Sequence, residues 1–236
     1  MLAYLLANVD VTSAVLAGGR SSRLRRNKLF QRVAGKSLIE WVIGRVAAMS
    51  GEVVVVVSER DMVRAVRESA DRLWHQAAAA NPYRVRVVED IVHGCGPLGG
   101  IYTALTSSSS PRCIVVGCDM PFLKRELLEY LVHASCGYDA TVPRMGSFIE
   151  PLCAVYHRDC IPHFAQAMGR GELQIRHALR RVKTRFVEEA QIAAVDPQHY
   201  SFFNVNTRSE LEEARRLAAQ NPQLLRAPAE QGKEKW

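Results

Sequence analysis

No apolar run in the 236 residues approaches the roughly 20 residues of a membrane span. The opening MLAYLLANVD has no basic n-region and no small-residue cleavage site, and reads as a leader or the edge of a first strand. Cys-x-x-Cys is absent, so the six cysteines make no zinc ribbon or redox dithiol. Cys113, Cys118 and Cys153 lie in apolar runs and read as small core residues; a reducing cytoplasm is the expected compartment. Aromatics are only 7%, and few stand near the basic clusters. That argues against a stacking channel for nucleic acid, although the net charge is +7. The glycine loop that follows Ala17 is not closed by Gly-Lys-Ser/Thr as a Walker loop is, and it lacks a full Gly-x-Gly-x-x-Gly.

What is present is an alternation of strand and helix signals. Val11–Ala17 is an apolar run, and Glu52–Val57 holds five consecutive valines, the pattern of a strand buried on both faces. Ser37-Leu-Ile-Glu40 and Thr207-Arg-Ser-Glu210 read as capping boxes that open helices. Helices are expected at 61–74, 124–135, 158–168 and 172–182, and strands at 84–88, 113–117, 139–142, 152–156 and 184–187. The alternation predicts an α/β sandwich of three layers, a mostly parallel sheet with helices on both faces. One domain over 1–220 is expected, with a loose tail over 221–236, where Pro and Gln accumulate.

Such sheets bind ligands at the carboxyl ends of their strands. Three candidates follow strands. The first is Leu16-Ala17-Gly18-Gly19, running into Arg20, Arg23, Arg25, Arg26 and Lys28. Glycines admit an anion to the backbone, and Arg23 and Lys28 can neutralise its phosphates. The second is Asp119, at the end of an apolar run, where a carboxylate needs a partner such as Mg²⁺; capping the next helix is the alternative. The third is Asp90, which can accept from the ring N–H groups of guanine or cap its own loop. Gly94–Gly100 reads as a second glycine-rich loop, and Asn204 and Asn206 alternate along an expected strand and so face one way.

Taken together, Leu16-Ala-Gly-Gly-Arg-Ser-Ser-Arg23, Lys28, Glu89-Asp90, Gly96-Pro-Leu-Gly-Gly-Ile101, Cys118-Asp-Met-Pro-Phe-Leu123, Pro151-Leu152 with Tyr156, and Phe203-Asn-Val-Asn-Thr207 resemble the MobA-like molybdenum cofactor guanylyltransferases. The pieces keep that family's order from residue 11 to about 219. The resemblance implies a Rossmann-like fold and Mg²⁺-dependent transfer of GMP from GTP to the phosphate of molybdopterin, releasing pyrophosphate. It further implies Arg23, Lys28 and Asp119 as catalytic residues, with Asp119 on the metal. Leu16, Ala17, Gly18, Gly19, Lys28, Asp90 and Asp119 would bind nucleotide. Gly96, Pro97, Leu98, Gly99, Asn204 and Asn206 would face the acceptor. Proteins of molybdoenzyme maturation are the implied partners, with neither nucleic acid nor membrane. The family has Gly where this chain has Arg25, and Asp where it has Asn27. A different phosphorylated acceptor, or a paralogue that binds nucleotide with weakened turnover, are the other readings.

Overall fold

The computed structural model describes residues 10–18, 25–77 and 83–225. Strands β1 (Val11–Ala17), β4 (Glu52–Val57), β5 (Arg84–Glu89), β6 (Arg112–Gly117), β7 (Ala140–Met145), β8 (Phe148–Ile149), β9 (Cys153–His157) and β10 (Thr184–Glu188) form one sheet. Their order is β10-β7-β9-β6-β1-β4-β5, with β8 paired to β7. Strands β2 (Arg32–Val33) and β3 (Lys36–Ser37) form a separate ribbon.

The pairs β1–β4, β1–β6, β4–β5 and β7–β10 are parallel. Only β8 and β9 run against their neighbours. The valine run shows why the centre is buried twice over. Val53, Val55 and Val57 pack with the helices on one face, and Val54 and Val56 with those on the other. On the first face lie α1 (Leu38–Ala47), α2 (Arg60–Ala77), α4 (Arg125–Ala134) and α7 (Glu189–Ala193). Opposite them lie α3 (Gly96–Ser107), α5 (Cys160–Gly169) and α6 (Ile175–Leu179). This is the expected three-layer sandwich.

Helix α8 (Arg208–Gln220) stands outside those layers and packs through Leu211, Ala214 and Ala218 on Leu38, Trp41, Phe122 and Val205. Both capping boxes form. Ser37 Oγ accepts from the Glu40 N–H while Glu40 Oε2 accepts from the Ser37 N–H. Thr207 and Glu210 repeat the exchange at the start of α8.

Three expectations change. The glycine-rich stretch from Gly96 onward is not a loop; it is the first turn of α3, with Pro97 in the helical positions that need no N–H donor. Residues 203–206 do not pair as a strand: a short 3₁₀ turn, Tyr200–Phe202, precedes an extended run outside the sheet. Order also persists past 220, where Pro222–Leu225 forms a 3₁₀ turn whose Leu224 and Leu225 pack beside α8. The remainder of the expected tail, 226–236, lies outside the described residues.

Candidate active site at the carboxyl edge of the sheet

Strands β1 and β6 are parallel neighbours with Leu16 opposite Gly117. The two chain exits therefore stand side by side, and the Cys118 N–H donates to the Leu16 carbonyl at 3.2 Å. This puts Gly18 and Asp119 on the same edge, as the phosphate-cradle reading requires. Leu16 and Ala17 are 6% and 5% exposed, so only their backbone can face a ligand. A β-carbon on Gly18 would come to 3.0 Å from the Ser58 side chain just after β4, so glycine lets the first loop leave the sheet without displacing Ser58. Gly19 and Arg23 lie outside the described residues.

Lys28 comes from the 3₁₀ turn Arg25–Phe30, which is tied down through Leu29 in the core and through a bond from the Leu38 N–H to the Gln31 carbonyl. Its Nζ donates to Asp119 Oδ2 at 2.7 Å and to Asn206 Oδ1 at 2.7 Å. Lysine rarely sits at 9% exposure unless paired. The two oxygens supply that pairing, so Lys28 is no surface lysine. Nor does Asp119 cap α4, whose N-cap position is Lys124.

Asp119 needs room that one glycine provides. A β-carbon at Gly117 would sit 2.6 Å from Asp119 Oδ1. Gly117→Ala is therefore expected to shift the carboxylate and lower kcat roughly a hundredfold, the scale of an ångström-sized misplacement. In an Asp119→Ala background the same change should do almost nothing; steady-state kinetics on the double-mutant cycle reads the difference.

Asn204 and Asn206 reach the site although their segment is not a strand. The Val205 N–H donates to the Asp119 carbonyl at 2.9 Å, and the Val205 side chain is fully buried. Alternation along the extended run then turns both flanking amides away from the core. Glu210 accepts from the Asn206 N–H at 2.7 Å, so the cap of α8 also fixes this backbone. Burial pushes the Glu210 carboxyl up, but the Asn206 and Thr207 N–H groups outweigh it and keep the carboxyl below its usual range.

Glu150 was not singled out from the sequence. The antiparallel β9 begins at the ligand edge, so the turn before it enters the site. The Gly117 N–H donates to the Leu152 carbonyl, and Glu150 bonds with the Asn204 side chain. Burial pushes the Glu150 carboxyl up, and the nearby Asp119 charge adds to it. A carboxyl raised in the fold is penalised once ionised, so stability falls as pH climbs from the unfolded value through the folded one. Glu150→Gln should thus melt higher than the parent at pH 7 in metal-free buffer. The gap should close below the ordinary glutamate range, about 4.3. Melting curves across pH test both halves of the statement. The available signal was position: Glu150 directly precedes the Pro151-Leu152 motif.

Asp90 sits at the end of β5, two strands from β1. Its Oδ1 accepts from the Thr103 hydroxyl at 2.6 Å and from the Val92 N–H at 3.1 Å, a loop-capping role. Its Oδ2 faces the first turn of α3 beside Gly99. Gly96 to Gly99 belong to this side of the sheet. Leu98 is wholly buried, so only its backbone can face an acceptor. Gly99 has a packing reason, since a β-carbon there would meet the Val92 carbonyl at 2.8 Å.

The arrangement is a cation held between a carboxylate and an amide, at a sheet edge that opens through glycine. It is suited to polyphosphate chemistry. The description "MobA-like NTP transferase domain" matches residues 13–186. A protein of Pelotomaculum thermopropionicum named "Probable molybdenum cofactor guanylyltransferase" is 34% identical over 210 residues, covering 89% of this chain and 94% of its own. The molybdenum cofactor guanylyltransferase of Desulfosudis oleivorans is 30% identical over 86% of this chain and 94% of its own. Among solved structures, molybdopterin-guanine dinucleotide biosynthesis protein A of Archaeoglobus fulgidus superposes with a TM-score of 0.70 at 28% identity, covering 89% of this chain and 99% of that one. With motif order, sheet topology and these likenesses agreeing, the chain belongs to the family of MobA-like NTP transferases.

Proposed function

We propose that this chain is a molybdenum cofactor guanylyltransferase. It transfers GMP from GTP to the terminal phosphate of molybdopterin, making the guanine dinucleotide and releasing pyrophosphate. The observation that carries the reading is the Lys28 ammonium 2.7 Å from both Asp119 and Asn206, beside the Gly18 exit. The domain extends over 1–220 with the Pro222–Leu225 turn packed at its end, and proteins that mature molybdoenzymes in the cytoplasm receive the product.

The acceptor phosphate is already an anion at neutral pH, so no general base is needed. Its oxygen attacks the α-phosphorus in line. The bond from that phosphorus to the bridging oxygen breaks, and pyrophosphate leaves with the electron pair. The protein's part is positioning and charge neutralisation. Gly18, Gly19, Leu16 and Ala17 offer backbone to the phosphates. Arg23 and Lys28 balance the charge that grows on the leaving group. Asp90 takes the guanine side, with its Oδ2 turned from the Oδ1 that caps the loop. Asn204 and Asn206 orient the acceptor.

The donor set suits a hard divalent cation. Asp119, the Glu150 carboxyl and the two amide oxygens are all oxygen ligands, and no group of three or more acidic, His or Cys ligands occurs among the described residues. A Mg²⁺ that shares its shell with substrate phosphates fits such a sparse site. Asp119 would hold it, where it would draw charge from the α- and β-phosphates. Lys28, held also by Asn206, would then share the Asp119 carboxylate with the ion.

Incubation with each of GTP, CTP, ATP and UTP, together with Mg²⁺ and molybdopterin, tests the assignment by mass detection. Guanine dinucleotide and pyrophosphate are expected with GTP alone. A preference for CTP, or no adduct with any nucleotide, would overturn it.

A further inference from the structure

Phe148 is 75% exposed, more than any other large apolar side chain among the described residues. It stands on the hairpin that joins β7 to β8. Because β7 and β6 both oppose β9, they run the same way. The hairpin therefore leaves the sheet at the edge that carries Asp119. Two strand spacings separate β7 from β6, about 10 Å.

The register decides which way the ring points. Phe148 pairs with Met145, and Met145 packs with the cluster under α1 and α4, whereas Ile149 packs on the other face. Phe148 and Glu150 then share a face, two residues apart. Glu150 in turn bonds with Asn204. The ring thus stands beyond the amides, away from the β1–β4–β5 side where Gly18 and Asp90 lie. The hairpin is also held in place. Arg176 donates to the Ser147 carbonyl at 2.8 Å, and Arg144 pairs with Glu188 while lying over the Phe186 ring. A pinned hairpin that still exposes a phenyl ring is suited to receive a flat apolar face.

We propose that Phe148 is a specificity-determining residue whose ring stacks on the fused heteroaromatic ring of the acceptor. The inference rests on the function proposed above. It deepens that function by assigning the acceptor's ring to the β7–β8 hairpin, opposite the nucleotide. Aromatic faces favour offset stacking on flat nitrogen heterocycles, whose faces are apolar and whose edges remain free to bond.

Steady-state transfer from GTP to molybdopterin by the parent, Phe148→Ala, Phe148→Tyr and Phe148→Leu tests it. The alanine variant should raise the KM for molybdopterin about tenfold, the scale of one lost stacking contact. The KM for GTP and the kcat at saturating acceptor should hold, and so should the melting temperature, because the ring is solvent-facing. Tyrosine should restore the acceptor KM, and leucine, which has bulk but no ring face, should not. An unchanged acceptor KM in Phe148→Ala, or full rescue by leucine, overturns the stacking contact while leaving the transferase intact. A parent chain that transfers nothing to molybdopterin overturns both.

Discussion

Asp119→Ala is expected to lower kcat by about a thousandfold, in line with the loss of a central charge-stabilising group in a sheltered site. The fold should survive the change. Lys28 keeps Asn206 Oδ1 as an acceptor, and the Val205 N–H bonds the Asp119 carbonyl, which alanine retains. Far-ultraviolet circular dichroism and the melting temperature should therefore move little. Asp119→Asn separates charge from shape. An asparagine can still accept from Lys28, yet it brings no negative charge to balance a dication, so its activity should stay near that of alanine. If Asp119→Ala turned over near the parental rate at saturating Mg²⁺, the assignment of this carboxylate to the metal would fall.

A second large effect should come from a carboxylate that touches no substrate. Asp196 is wholly buried. It accepts from the Ser201 N–H at 2.8 Å and the Tyr200 N–H at 3.3 Å, and pairs with Lys124 Nζ at 2.9 Å. Ser201 closes the arrangement by accepting from the Lys124 N–H. Asp196→Ala strands two backbone donors. Each buried orphan costs about 1–3 kcal/mol, so the unfolding free energy should drop by about 3 kcal/mol. Lys124 is 24% exposed and can return to water, which keeps the loss below that of a fully buried broken pair. Urea titration should show a lower midpoint at an unchanged slope. The run 203–206 hangs from this turn, so the acceptor KM should rise as well. A variant as stable as the parent would show that the 196–201 turn holds itself without the carboxylate.

The layers of the sandwich could be read from the chain because their signals are local. Five valines in a row permit little but a central strand, and each capping box marks a helix start through residues three apart. Asp119 was legible for a related reason: a charge that ends an apolar strand must be met by something. What met it was not legible. Lys28 and Asn206 are 178 positions apart, and no local period links them. The stretch from Gly96 misled because its glycines suggested a ligand loop, whereas Gly99 and Gly100 make room for Val92 and Leu16 against a helix. Asn204 and Asn206 kept the alternation of a strand without its ladder, since a bond to Asp119 replaced the neighbouring strand. Glu150 escaped notice because its role depends on β9 running backwards, and direction in a sheet is not a local property.

The span between Lys28 and Asn206 also bears on how the protein is made. Synthesis is vectorial, and early segments begin to organise before late ones exist. Through most of translation the lysine that ends beneath the finished surface has no amide to bond, and the turn held by Asp196 has not yet been added. A chain that stops short of Asn204 would carry every strand of the sheet but an unfinished reaction centre.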